Sequence, residues 1–122
     1  MSTPVTIVLP TLDEREHITD CLDSLLAQDY PAIEEILVVD GGSSGGTPEL
    51  AARRGEPVRV VPNPKVTAAA AMNVGIAAAG TEVIVRADAH TLYAPDFVTR
   101  CVEVLETSGA DVVGGPMRPV GT

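Results

Sequence analysis

Four short apolar runs, at residues 5–9 (VTIVL), 36–39 (ILVV), 58–61 (VRVV) and 82–86 (EVIVR), alternate along the chain with stretches long enough to hold a helix. Runs of this length with β-branched residues and flanking breakers read as buried strands. Between the first two lies TLDEREHITDCLDSLLAQDYP, whose apolar Ile18, Cys21, Leu22, Leu25 and Leu26 recur at helical spacing. Asp13 followed by Glu16 resembles a capping box, and Pro31 stops the run. After the second strand GGSSGGTP must be a loop, with Thr47 as N-cap and Pro48 at the first position of a short helix ending near Gly55. Residues 66–79 are alanine-rich and predict a third helix closed by Gly80 as a left-handed cap. Pro95 opens a fourth, with Phe97, Val98, Cys101, Val102 and Leu105 on one face and Gly109 as its stop; residues 111–113 begin another strand. Strands joined by helical crossovers predict an α/β fold, a mostly parallel sheet flanked by helices.

Composition agrees. Hydrophobic residues make up 45% and aromatic residues only 2%, so the core must be aliphatic, as suits a covered parallel sheet. At 122 residues the chain is one domain or part of one, with roughly two-thirds of its unfolded surface available for burial. The terminal GGPMRPVGT reads as a connection just begun, which predicts that the fold is truncated here. Eight Lys and Arg against seventeen Asp and Glu give a net charge of −9, which argues against a nucleic-acid surface and an anionic membrane. No apolar stretch reaches the ~18 residues of a membrane span, and no leader is read at the N-terminus. Cys21 and Cys101 fall inside helices without metal-ligand spacing and read as buried thiols of a cytoplasmic protein.

In an open α/β sheet, ligands bind beyond the carboxyl ends of the strands. The candidates are therefore Pro10, Leu12, Asp13 and Glu14 after the first strand, and Asp40 with its glycine loop after the second. Asn63 and Lys65 follow the third, and Asp88 and His90 the fourth. Asp88-Ala89-His90 places a carboxylate and an imidazole on one side of an extended segment, a donor pair suited to Mn²⁺ or Mg²⁺. Spacing alone equally admits Asp88 capping a turn beside a solvated His90. Helix three holds Asn73 and an interior Gly75, which suggests close approach to a ligand or to the sheet, or a packing glycine beside a solvated Asn. Glu14 and Asp13 could face a ligand or only start a helix, and residues 41–46 read more simply as a turn than as a phosphate loop. Arg86, on a strand expected to be buried on both faces, calls for an acidic partner or a phosphate.

Taken together, these segments resemble family 2 glycosyltransferases of the GT-A fold, and the likeness runs through essentially all of residues 1–122. VTIVLPTLDEREHI is similar to that family's strand followed by Pro-x-x-Asn-Glu, and ILVVDGGSSGGT to its Val-Asp-Asp-Gly-Ser-x-Asp-Gly-Thr segment. NPKVTAAAAMNVGIAAAGTEVIVRADAH is similar to the stretch ending in the Asp-x-Asp metal motif, and VRADAHTLYAPDFV resembles succinoglycan-type exopolysaccharide enzymes, which carry His third in that motif. Asp13 stands where the family usually has Asn, Leu12 where Tyr or Arg is frequent, and Gly41 and Gly45 at commonly acidic positions.

The resemblance implies that Pro10, Leu12 and Glu14 line a nucleoside pocket, that Asp40 hydrogen-bonds the base (most often uracil), and that Asn73 lies near the donor. It places Asp88 on ribose or metal and His90 on the metal. It implies inverting transfer of a sugar from a nucleoside diphosphate to a saccharide or lipid-linked hydroxyl. Mn²⁺ or Mg²⁺ would be the cofactor, and membrane association would arise only through parts absent from these residues, at the cytoplasmic face. The family's acidic base and Gln/Arg-x-x-Arg-Trp segment find no match, so no catalytic residue is identified and turnover by these residues alone is not expected. The alternative is a non-catalytic nucleotide-binding or assembly module of the same fold. A dinucleotide oxidoreductase would need a glycine fingerprint where this chain has PTLDE, and a nucleotidyltransferase a Gly- and Arg-rich loop.

Overall fold

The computed structural model describes residues 2–43, 45–108 and 118–119. Strands β1 (Val5–Thr11), β2 (Ile33–Asp40), β3 (Val58–Pro62) and β4 (Val83–Arg86) form a parallel sheet in the order β3-β2-β1-β4. Helices α1 (Ile18–Leu26), α2 (Thr47–Ala52) and α3 (Ala68–Ala78) make the crossovers, and α4 (Phe97–Ser108) follows β4. Short β5 (Thr91–Leu92) and β6 (Arg118–Pro119) pair antiparallel. The predicted strand at 111–113 and the stop at Gly109 lie outside the described residues.

The period of two in β1 and β2 sorts their side chains between two layers. Val5, Ile7, Leu9, Ile36 and Val38 face one side, where they meet Ile18, Cys21, Leu22 and Leu25 of α1, Ala51 of α2, and Val98, Cys101 and Val102 of α4. Val8, Leu37 and Val39 face the other, against Ala71 and half-buried Met72, Val74 and Ala78 of α3. Each fully buried Val, Leu or Ile contributes about 1.5–3 kcal/mol. Continuous burial on both faces explains why β1 and β2 read as unbroken apolar runs.

Several expectations are corrected. Helix α1 starts at Ile18, not at Asp13. Asp13 adopts φ 53°, and the capping box is replaced by contacts from another loop: Asp13 N donates to Ser43 Oγ and Glu14 N to Thr47 Oγ1. Leu26, expected on the buried face, is exposed. Strand β2 begins at Ile33, three residues early, because Ile33 and Glu35 pair with Val5 and Thr6 of β1 before β3 joins at Ile36. Gly46, not Thr47, caps α2, and the fully buried Thr47 spends its hydroxyl on Glu14. Helix α3 starts at Ala68, with Thr67 Oγ1 accepting from Ala70 N, since Val66 sits at φ 69°. Its other end is Ala79 in an extended conformation. Gly80 is no left-handed cap and instead gives its N–H to Glu35 Oε2. Arg86 is exposed, because β4 is the edge of the described four-stranded sheet and pairs there only with β1.

Interior Gly75 is explained by the sheet. A Cβ at this position would lie 2.5 Å from Val8 Cγ1 and 2.9 Å from Cγ2, so α3 touches β1 with its backbone. Close approach to the sheet is thus realised, and with Asn73 exposed two residues earlier the reading of a packing glycine beside a solvated Asn is met as well.

Candidate active site

Strand order runs β3-β2-β1 to one side and jumps to β4 on the other, so the switch point lies between β1 and β4. Asp40 closes β2 and Asp88 follows β4, with β1 between them: Thr11 pairs with Asp40 and Val8 with Arg86. Two strand spacings separate the acidic groups laterally, about 10 Å, across one carboxyl edge. The two therefore share one edge, as a common ligand requires.

Ala87 N still donates to Val8 O, after which the chain leaves the sheet. Burial alternates through the turn: Ala87 and Ala89 are buried, whereas Asp88 and His90 share the exposed side. Asp88 also caps that turn, its Oδ1 accepting from His90 N at 2.8 Å. The turn-capping reading of Asp88 is thus realised, but His90 is not merely solvated. Its Nε2 lies 2.8 Å from Glu14 Oε1, and its ring stands 5.1 Å from that of His17. The core fixes the turn from beneath: Asp88 N donates to Tyr93 Oη at 2.6 Å, and Asp88 O accepts from Cys21 Sγ. Burial, then the charges of Asp88 and Glu14, pushes the Cys21 thiol up to about 12.

Glu14 is pinned by Thr47 at its N–H and by the amides of His17 and Ile18 at its carbonyl. Its side chain is only 12% exposed, and Oε2 has no hydrogen-bond partner among the described residues. Burial raises its carboxyl above the ordinary range, and Asp88 adds to this, against the lowering effect of His90.

Asp40 is organised differently. Oδ1 accepts from Thr11 Oγ1 (2.8 Å) and Ser43 Oγ (2.5 Å), and Oδ2 from Gly42 N (3.0 Å) and Ser43 N (2.8 Å). Burial works to raise this carboxyl, but the bonds from Ser43, Thr11 and Gly42 outweigh it and hold the group below its usual value. The amides of Gly42 and Ser43 are thereby turned onto Asp40, which matches the reading of the glycine loop as a turn. Gly41 lies in a tight approach: a Cβ there would stand 3.2 Å from Val66 Cα.

The remaining candidates lie at or just after strand ends on the same edge, except Asn73, which lies within α3. Pro10 is half-buried on β1, and Leu12 is exposed just beyond it. Asn63 is buried and structural, bonding Thr67 O and Lys65 N. Asn73 is exposed on α3, and no hydrogen bond joins it to the others among the described residues. Sequence reasoning missed Thr11, Ser43, Thr47 and Tyr93, which hold the acidic residues in place. Only the tertiary pairing of loops reveals them.

The donor set suits a hard divalent cation that keeps most of its ligands from phosphate and water. Asp88 is exposed, His90 is more than half exposed, and an orphaned carboxylate oxygen is buried behind them. Among the described residues no three His, Cys, Asp or Glu side chains form a ready-made cage.

A doubly wound sheet with acidic residues on both sides of its switch point is the frame of an α/β domain of the GT-A type. The sequence matches glycosyl transferase family 2 over residues 6–121, and the chain belongs to that family. It is 38% identical over 125 residues to the succinoglycan biosynthesis protein ExoA of Rhizobium meliloti, covering 98% of this chain and 38% of that protein. Among solved structures it is similar to the mannosyltransferase PcManGT of Pyrobaculum calidifontis in complex with GDP-Man and Mn²⁺. The TM-score is 0.77 at 31% identity, over 86% of this chain and 33% of that one. Glucosyl-3-phosphoglycerate synthase of Mycobacterium tuberculosis, in complex with Mn²⁺, UDP and glucosyl-3-phosphoglycerate, gives a TM-score of 0.71 at 28% identity, over 84% and 39%. The chain thus spans less than half the length of these relatives. No helix among the described residues is long and apolar enough to cross a membrane.

Proposed function

We propose that residues 1–122 are the donor-binding portion of an inverting glycosyltransferase that moves a sugar from a UDP-sugar to a saccharide or lipid-linked hydroxyl. The observation that carries this reading is the placement of Asp40, Glu14, Asp88 and His90 along one carboxyl edge astride the strand-order reversal. The likeness to ExoA and the GDP-Man, UDP and Mn²⁺ of the two neighbours support a nucleoside-diphosphate donor with a divalent metal, and the UDP of the second supports uridine in particular.

Asp88 and His90 would hold Mn²⁺ or Mg²⁺, which, when bound, neutralises charge on the departing diphosphate. Pro10, Leu12 and Glu14 would line the nucleoside pocket together with the loop shaped by Asp40, and Asn73 would flank the donor. Each bond Asp40 accepts from a base would replace one from its own loop, so the loop would move on binding. The base that deprotonates the acceptor is not assigned to these residues.

Calorimetric titration with UDP-sugars, with and without Mn²⁺, tests the reading. Metal-dependent binding that Asp88→Ala abolishes is expected. Absence of UDP-sugar binding at every metal concentration would refute the UDP reading, and absence of GDP-sugar binding as well would favour a module without donor affinity.

A further inference from the structure

The Glu14–His90 pair carries one step beyond the proposed function, on which it rests. We infer that Glu14 is a positioning residue: its carboxylate captures the Nε2–H of His90 and so leaves Nδ1 as the nitrogen offered to the divalent cation.

An imidazole has two nitrogens, and the hydrogen bond made by one decides what the other can do. Here Nε2 is committed, 2.8 Å from Glu14 Oε1. A carboxylate can only accept, so the neutral ring carries its proton on Nε2 and its lone pair on Nδ1. Ligation through Nε2 would require the pair to break and would leave a nearly buried carboxylate whose second oxygen already lacks a partner. Nδ1 is also the ring nitrogen on the backbone side, and the Asp88 carboxylate is anchored there, against the N–H of His90 itself. Holding the ring by its far nitrogen therefore leaves Nδ1 free on the backbone side, where the Asp88 carboxylate is anchored.

Glu14 is built for holding. Its backbone is tied at both N–H and C=O, to buried Thr47 and to the first turn of α1. His17 limits ring rotation from one side. A carboxylate behind a ligating histidine is a recurrent arrangement whose loss lowers metal affinity by about 10–100-fold.

The test uses the whole chain, with Mn²⁺ plus UDP as probe, and two variants. Ring ¹⁵N shifts of His90 in the metal-free protein at pH 8 should show the Nε2–H tautomer in wild type. Glu14→Gln, whose amide oxygen still accepts from Nε2–H, should keep this tautomer, and Glu14→Ala should lose it. Mn²⁺ affinity in the presence of UDP should fall about 10–100-fold in Glu14→Ala and by no more than a few fold in Glu14→Gln. A wild-type ring protonated on Nδ1 overturns the inference, as does a Glu14→Ala protein with unchanged Mn²⁺ affinity. Equal loss in both variants with the tautomer intact would instead make Glu14 a direct ligand. If wild type binds no Mn²⁺ with UDP, the functional reading fails and takes this inference with it. If wild type binds and neither variant differs, only the inference fails. Should Glu14→Ala not fold, the wild-type His90 tautomer decides by itself, since a ring protonated on Nδ1 overturns the inference.

Discussion

Replacing Gly75 by alanine should destabilise this protein, although helix propensity alone says the opposite. In an exposed helix interior, Gly→Ala gains about 1 kcal/mol. Here the added Cβ would stand 2.5 Å from Val8 Cγ1, 2.9 Å from Cγ2 and 3.3 Å from Cβ. Val8 is fully buried on β1, a strand hydrogen-bonded on both sides, and its branched side chain has few rotamers to escape into. Helix α3 must therefore lift from the sheet or Val8 must leave its rotamer, and overpacking of this kind costs roughly 1–3 kcal/mol. With a contact this short the upper half of that range applies, so the net loss is about 1–2 kcal/mol after the propensity gain. Urea denaturation followed by circular dichroism measures it. In a Val8→Ala background, itself destabilised by lost packing, the obstructing methyls are gone and Gly75→Ala should become neutral or stabilising. A higher urea midpoint for Gly75→Ala with Val8 intact would refute the close-approach account of this glycine.

Asp40→Ala removes the acceptor of four hydrogen bonds and strands the buried Thr11 hydroxyl, for an expected loss of about 2–4 kcal/mol in the same assay. Asp40→Asn should cost only about 1–2 kcal/mol, because the Thr11 and Ser43 hydroxyls can turn to accept from the amide. The wild-type carboxyl is held below its ordinary 3.8, so its contribution is complete above that pH and is lost as pH falls through the lower folded value. The Asn variant should lack this part of the acid limb, and acid profiles parallel to wild type would contradict it. Cys21, with its thiol pushed up to about 12, should resist disulfide exchange with a chromogenic reagent at pH 8 until the protein unfolds. Prompt stoichiometric labelling of Cys21 in the folded chain would show that the base of the 88–90 turn is open.

What the sequence by itself determined was the framework. Unbroken apolar runs marked the central strands because both faces of β1 and β2 are covered, and the spacing of Ile18, Cys21, Leu22 and Leu25 marked the buried stripe of α1. Family motifs placed the acidic residues at strand ends, where an open sheet binds its ligands. Local signals failed where a distant loop outbid them. The capping box at Asp13 lost to Ser43 and Thr47, and the glycine cap at Gly80 lost to Glu35, because these partners lie 30 to 45 residues away. Only tertiary structure decided which nitrogen of His90 is engaged, that Asp40 turns inward upon its own loop, and that Gly75 answers to Val8 rather than to a ligand. Spacing along a chain fixes which face a side chain takes, whereas its partner is set by what the fold carries to that face.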